Sequence, residues 1–418
     1  MNNTSKLIVP THPQERLIIL DIIRGFALLG ILLVNAPSLN SPIWIDNSEF
    51  AFQSTWWDET VTRFIFLFAV EKFYPIFSLL FGIGAMIFME NAAHHGAIAW
   101  RIFLRRLSIL FSFGLIHAGF IWWGDVLITY AVIGICLVLF YRWSARWILI
   151  IALFILLLLT VVNGTLAYID WQESMNAETV IGSKDNCDSE AENDVSEEAI
   201  NEQDMDLIYR DGSFWEITWK RMEDYYQVNL LGIVSPQDFR ILVVYLNSYL
   251  QVLAIFLLGA WVQKKRIFHD LKSNQALLHT VGNYTIATAF ITNLLSAHSE
   301  FFANTLWPIE GLSLGMVYVY LLTIGFQQQA FWQKVLRPLA AVGKLSLTCY
   351  IGSNLVLSIL FYGYGFGLYG SMGPSEQIWI TLSIFAGAVI FSNLWLKYFR
   401  FGPLEYIWRS LTYGKTCN

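Results

Sequence analysis

The residues able to do chemistry are few, and most stand where an apolar helix is expected. Asp21, Arg24 and Asn35 punctuate the apolar run from 17 to 36. At about 100° per residue, Asp21 and Arg24 lie roughly 60° and one turn apart, and Asn35 returns to within about 20° of Arg24 ~16 Å further on. This polar stripe has two readings: an ion pair that stitches helices together beside a close-packing Gly25, or the lining of a substrate passage. His117 sits in Gly114-Leu115-Ile116-His117-Ala118-Gly119. Imidazole titrates nearest neutral pH of the side chains, which suits a general base or a nucleophile; the alternative is a packing histidine among small neighbours.

Asp125 closes the turn Trp122-Trp123-Gly124-Asp125. It is placed to cap the next helix, or to orient His117. If the helix ran on to the turn, His117 would lie about 8 Å deeper than Asp125, so a direct hydrogen bond requires an early helix end or a bridging water. Arg105 and Arg106 open the same run, and Arg106 shares a face with His117. They are either topological anchors or a phosphate-binding pair at the mouth of a pathway. Lys72, before Phe73-Tyr74-Pro75, is the corresponding cation at the other end.

The elements that must position these residues are membrane helices. Of 418 residues, 56% are apolar and 14% charged, against roughly 25% charged in a soluble domain. Apolar runs of helical length fall near 17–36, 73–90, 106–123, 126–141, 146–168, 241–262, 276–296, 309–326, 343–362 and 377–398. The predicted fold is therefore all-α, a polytopic bundle of about ten spans. Residues 38–72, rich in Trp and Phe and leading to Pro75, predict an amphipathic helix at the outer interface. The chain divides into a membrane half at 1–168, an extracytoplasmic loop at 169–240 and a second membrane half at 241–418.

With the N-terminus inside, the inner segments hold 18 of the 26 Lys and Arg. That bias predicts a multi-pass protein with both termini cytoplasmic. The net charge of −6 is concentrated in residues 185–206, with ten Asp or Glu and no Lys or Arg. Such a stretch buries too little apolar area to fold alone and is expected to be disordered and dispensable. The acidic balance argues against nucleic acid as a partner. Cys136, Cys187, Cys349 and Cys417 lack metal or disulfide spacing, and the adjacent His94 and His95 cannot share a helix face for zinc. Gly365, Gly367 and Gly370 match GxGxxG but follow no strand, so no dinucleotide site and no metal are expected.

Several clusters together resemble one family. Leu20-Asp21-x-x-Arg24-Gly25 with Gly30 and Asn35, Lys72-Phe73 leading to Phe77-Ser78-Leu79-Leu80-Phe81-Gly82, and Gly114-Leu115-Ile116-His117 with Gly124-Asp125-Val126-Leu127 and Tyr130 are similar to the YeiB-type membrane proteins. Gly343-Lys344-Leu345-Ser346-Leu347-Thr348-x-Tyr350 and Phe399-Arg400-x-Gly402-Pro403-Leu404-Glu405-x-x-Trp408-Arg409 resemble the domain of unknown function 418 that ends those proteins. The resemblance implies a bacterial cytoplasmic membrane setting.

The first-span pattern is also similar to that of membrane acyltransferases, including the heparan glucosaminide acetyltransferases, which implies a mid-membrane histidine as acyl acceptor or base. The chain departs from them at Asn35, where sugar and lipid O-acyltransferases commonly have His, and in having no His from 36 to 93. The resulting expectation is acyl transfer from cytoplasmic acyl-CoA to a lipid or glycan. His117 and Asp125 would carry the catalysis, with Asp21, Arg24, Asn35, Lys72 and Arg106 binding substrates. A transporter of a small anionic or amphipathic solute and a non-catalytic scaffold or sensor are the alternatives, and oligomeric state is left open.

Overall fold

A computed structural model describes residues 17–41, 55–94, 98–181, 208–231, 239–328 and 330–413, and their regular structure is helical throughout. The acidic stretch at 185–206 lies outside the described residues. The main elements are α1 (Ile18–Asn40), α2 (Trp56–Phe68), α3 (Phe73–His94), α4 (Ala99–Phe120), α5 (Leu127–Gly134), α6 (Leu137–Phe140), α7 (Ala145–Ile181) and α8 (Phe214–Tyr226). They continue with α9 (Phe239–Lys264), α10 (Gln275–His298), α11 (Glu300–Gln328), α12 (Ala330–Lys344), α13 (Ser346–Phe361), α14 (Pro374–Tyr398) and α15 (Pro403–Tyr413).

Among the described residues seven helices are long and apolar enough to cross a bilayer, or up to eight if the bent pair α12–α13 is one span. The chain is thus an all-α, multi-pass membrane bundle, with fewer clear crossings than the ten expected. The expected run at 126–141 is a broken helix, Leu127–Phe140, shorter than the others. At 1.5 Å per residue its 14 positions advance about 21 Å, less than the ~30 Å of hydrocarbon. The run at 276–296 forms α10, of span length but diluted by Thr, Asn and His.

Local chemistry explains the irregular joints. Thr55 and Asp58 form a reciprocal N-terminal cap on α2, whose Trp56, Trp57, Phe64 and Phe66 stay exposed, as an interfacial helix requires. Asp58 also accepts from the Ser375 amide at 3.0 Å, tying α2 to the start of α14. α12 and α13 meet at 82°. Glu405 of α15 satisfies the first amides of α13, Leu347 N–H at 2.8 Å and Thr348 N–H at 3.0 Å, so this buried helix start is not left without acceptors. α1 crosses α12 closely because both contact points are glycine: a Cβ on Gly25 would strike the Leu339 carbonyl, and one on Gly343 the Asp21 carbonyl.

The bundle has two distinct ends. One gathers the start of α1, the α3–α4 and α6–α7 turns, the end of α9 and all of α15: Gln263 donates to Glu90 at 3.0 Å, Lys264 to the Tyr141 carbonyl at 2.8 Å, and Trp408 to the Arg106 carbonyl at 3.0 Å. This is the basic end. The other gathers the end of α1, α2, the α4–α5 turn, α8 and the 362–373 loop, joined by Gly370 N–H to the Asn40 carbonyl at 2.8 Å and Gly363 N–H to the Tyr209 carbonyl at 2.9 Å. Leu17 and Tyr413, the outermost described residues, both lie at the basic end.

Candidate functional site

A cavity of about 740 Å³ enters the bundle from the basic end. Its mouth carries Arg24, Arg106, Arg266, His269, Lys344 and Arg409, with Asp21, Glu90 and Glu405 among them. Deeper, the wall turns apolar through Phe77, Phe81, Leu107 and Leu110, and it includes Tyr130 and Tyr350. Cations outnumber anions at the mouth, so the field there favours an anionic group.

Two of the sequence-selected cations are held in defined poses. Arg24 Nη1 donates to Asp21 Oδ1 at 2.9 Å and reaches the Gly343 carbonyl at 3.4 Å. The pair that the spacing suggested therefore forms, and it forms on the cavity wall rather than in lipid. The Arg106 guanidinium lies 3.9 Å from the Trp408 ring centroid and 5.1 Å from that of Phe88. These two aromatic contacts orient the planar cation.

Beyond the apolar wall lies a fully buried polar network. α4 ends at Phe120, with the Ile121 and Trp122 amides both donating to the His117 carbonyl at 2.9 Å, and the chain then turns at Gly124. This early end brings Asp125 back beside His117, with Nδ1 3.0 Å from Asp125 Oδ1, although the approach is off the axis of a well-directed hydrogen bond. Asp125 Oδ2 also accepts from the Ile128 amide at 2.7 Å. Asp125 thus caps the first turn of α5 through Oδ2, while its Oδ1 stands within ion-pair distance of the imidazole.

On the other side of the ring, Asn354 Nδ2 stands 3.0 Å from His117 Nε2, and Asn354 Oδ1 accepts from Asn35 Nδ2 at 3.2 Å. Assigned from this network, Nε2 carries the lone pair and Nδ1 the proton, which faces the carboxylate. The Tyr350 ring packs over the imidazole with centroids 5.1 Å apart, and Trp122 meets it edge-on at 6.5 Å. His117 itself does not line the cavity; Tyr350, Val126 and Leu127, which touch or neighbour the dyad, do.

The structure therefore gathers Asp21, Arg24 and Arg106 at the mouth and Asn35, His117 and Asp125 in the network behind it. Lys72 it places elsewhere, 3.3 Å from Glu310 Oε1 and 3.2 Å from the Phe66 carbonyl. Asn354 does not stand out in the sequence as a site residue, and Tyr130 and Tyr350 enter it only within the family-like clusters. A polar Ser353-Asn354 step inside an apolar run is the available signal for the first.

Residues 262–415 match the family described as "Protein of unknown function (DUF418)". Nearly the whole chain is similar to three curated proteins. "Uncharacterized protein YxaH" of Bacillus subtilis (strain 168) is 29% identical over 412 residues, covering 97% of this chain and 96% of the relative. "Uncharacterized 39.9 kDa protein in amylase 3'region" of Bacillus acidopullulyticus is 27% identical, covering 97% and 96%. "Uncharacterized protein YeiB" of Escherichia coli (strain K12) is 22% identical, covering 96% and 97%. The chain is a multi-pass membrane protein, similar over nearly its whole length to YxaH and YeiB, with the DUF418 match confined to its C-terminal part.

Proposed function

We propose that the protein is a membrane-embedded acyltransferase using acyl-CoA from the cytoplasm and a hydroxyl acceptor, lipid or glycan, from the opposite side. The observation that carries this reading is the placement of the Asp125–His117 dyad one aromatic ring behind the inner wall of a cavity with a cationic mouth. Arg24 and Arg106 bind the donor's phosphates by charge-assisted hydrogen bonds. The thioester lies along the apolar wall. His117 Nε2 takes the acceptor's O–H proton as the acceptor oxygen forms its bond to the thioester carbonyl carbon. The carbon–sulfur bond then breaks, and the imidazolium returns the proton to the departing thiolate. Asp125 holds the tautomer and stabilises the imidazolium. In the resting arrangement the Asn354 amide occupies the position of the acceptor hydroxyl, so it must swing aside, as must Tyr350.

The basic end faces the cytoplasm in this reading, in accord with the clustering of Arg and Lys there. Cysteine scanning checks it: Trp215→Cys, on exposed α8, should react with an impermeant maleimide on intact cells, and Arg400→Cys only after permeabilisation. The opposite pattern would place the mouth outside and remove acyl-CoA as donor.

The chemical test is incubation of purified protein with radiolabelled acyl-CoA and membrane lipid. Label should pass to lipid or glycan in wild type and fail to do so in His117→Ala, with the variant still folded. A second reading, transport of an amphipathic anion, is favoured by the 82° break between α12 and α13 beside the cavity, since interrupted helices line many transport sites. Solute flux in proteoliposomes without thioester consumption would replace the enzyme reading by that one.

A further inference from the structure

The end of the bundle away from the cavity mouth holds a buried cation with no role in the acyl-transfer scheme. Arg221 of α8 is 0% exposed. Its Nε donates to the Ile217 carbonyl at 3.3 Å and its Nη2 to Thr218 Oγ1 at 3.4 Å, both long and both within one turn of its own helix. Nη1 is buried and has no hydrogen-bond partner. Asp224, a buried carboxylate one turn on, is taken by Lys220 at 3.0 Å and by the Tyr209 hydroxyl. Among the described residues Arg221 forms no ion pair. Around it stand Tyr362, Tyr364 and Phe214, with ring centroids 5.4, 5.6 and 6.0 Å from the guanidinium carbon. Ring faces attract a cation, but they leave the cost of an unpaired buried N–H unmet.

The Tyr364 hydroxyl is a second buried polar atom in this enclosure without a partner. A charged N–H and a phenol O–H thus stand unsatisfied around one cation, and a single oxyanion can accept from both. Tyr362 is buried, whereas Phe214 is 37% exposed, so Phe214 is the ring whose movement uncovers the guanidinium. The place of the enclosure matters as much as its chemistry. The Phe214 ring stacks on that of Phe120, the last residue of α4 and three beyond His117, with centroids 6.3 Å apart. One turn past Arg221, about 6 Å along α8, Tyr225 stands within electrostatic reach of Asp125. The enclosure therefore flanks the dyad on the side opposite the cavity mouth. Lys72, the cation that the sequence offers for that end, is committed to Glu310.

We infer that Arg221 and Tyr364 form an oxyanion subsite, and that the acceptor is an alcohol carrying a phosphate or carboxylate group rather than a neutral one. The acceptor role rests on the acyl-transfer reading above; the anion site itself does not. The oxyanion accepts from Arg221 Nη1 and from the Tyr364 hydroxyl, and the acceptor's own hydroxyl lies toward His117. Phosphate and carboxylate share this chemistry and are separated by the test.

The experiment titrates purified full-length protein in nanodiscs with glycerol 3-phosphate, glycerate and glycerol, followed by thermal shift. The same three compounds are then offered as acceptors with radiolabelled acyl-CoA. At least one anion should raise the melting temperature of wild type saturably, and glycerol should not. The stronger of the two anions identifies the group as phosphate or carboxylate. Tyr364→Phe removes a hydroxyl that bonds nothing in the fold, so it should melt like wild type. It should bind the anion roughly tenfold more weakly, the worth of a charge-assisted hydrogen bond. Arg221→Gln should abolish the shift, and if that variant does not fold, Tyr364→Phe decides. No shift with either anion, or a shift unchanged in Tyr364→Phe, overturns the inference. A shift lost in Arg24→Gln but kept in Tyr364→Phe places the anion at the cavity mouth and overturns it too. If the anion binds through Tyr364 while no compound takes label from acyl-CoA, the subsite stands and the acyl-transfer reading fails. Transfer to glycerol as fast as to the anions, in wild type and Tyr364→Phe alike, keeps the enzyme reading and overturns the anionic acceptor.

Discussion

Two buried acid–base pairs in this bundle look alike in sequence and differ in what surrounds them. Asp125 and His117 have side chains wholly shielded from solvent, and Lys72 and Glu310 are nearly so. Both are within salt-bridge distance, and both would be costly to break. Lys72, however, sits at the corner between α2 and α3, where Glu71 adopts a left-handed φ of 64°. Its ammonium bonds Glu310 and the Phe66 carbonyl and lies 5.7 Å from the Phe66 ring centroid. Tyr318 of α11 reaches the Phe68 carbonyl at 2.9 Å in the same corner. Every partner there fastens α2 and α3 to α11, and none of them lines the cavity. The histidine pair has the reverse setting: its neighbours Tyr350, Val126 and Leu127 form the cavity wall. On the acyl-transfer proposal, nearness to the cavity, more than residue type, separates the pair assigned to react from the one that holds helices together.

The largest expected effect is on chemistry at the first pair. His117→Ala should lower acyl transfer by ~10²- to 10⁴-fold, the usual worth of a general base, with donor binding kept because the phosphate contacts are at the mouth. Asp125→Asn should lower it too, through loss of the imidazole's orientation and charge support. Turnover unchanged in both variants would remove the distinction between the two pairs.

At the second pair the expected effect is on stability. Lys72→Met leaves Glu310 buried without its cation, a change that typically costs about 3–5 kcal/mol. Lys72→Met with Glu310→Gln should recover much of the loss, since no charge is then stranded. Thermal unfolding in detergent measures both, and transfer per folded molecule should stay at the wild-type level. A variant that folds normally but binds acceptor poorly would return Lys72 to the acceptor site, the role its position in the sequence suggests.

Much of this arrangement is legible in the amino-acid sequence, and the part that is not has a physical cause. Periodicity and the cost of charge in hydrocarbon are enough to pick out Asp21, Arg24, Asn35, His117 and Asp125, because each interrupts an apolar run. The contact between His117 and Asp125 depends on where α4 stops. An apolar run continues through Ile121-Trp122-Trp123, so composition does not reveal that the helix ends at Phe120. The partners Asn354 and Glu310 lie 237 and 238 residues away from His117 and Lys72. No local spacing can pair residues at such range. The bend at Leu345 likewise depends on a tertiary contact, Glu405 with the Leu347 amide 58 residues away, which offsets lost helical hydrogen bonds.

A smaller effect is expected where helices rather than charges meet. Gly343→Ala drives a methyl group into the Asp21 carbonyl and should cost roughly 1–3 kcal/mol, as overpacking does. It should also weaken donor binding, because Asp21 and Arg24 ride on the displaced segment. Gly352→Ala, where a Cβ meets nothing within 4 Å, should be neutral or slightly stabilising in the same melt. Equal melting of the two variants would mean that the α1–α12 crossing is loose.

The smallest effect should come from a third ion pair, at the end of the bundle away from the cavity mouth. Arg240 of α9 bonds Asp170 at 3.1 Å and Glu173 at 3.2 Å, both on the far part of α7. The 37 residues of α7 advance about 55 Å, well past the ~30 Å hydrocarbon core, so this contact is made outside it. The side chains are 40% exposed for Arg240 and 59% and 61% for the two acids. Water and salt screen such a pair, and holding three flexible side chains costs entropy, so Arg240→Gln should change stability by no more than about 1 kcal/mol, and by less in high salt. The two cationic pairs are then ranked by burial, with the larger penalty at Lys72 and the smaller at Arg240. If Arg240→Gln melts as early as Lys72→Met, burial does not rank them, and the far end of α7 must be anchored by contacts stronger than this pair's exposure allows.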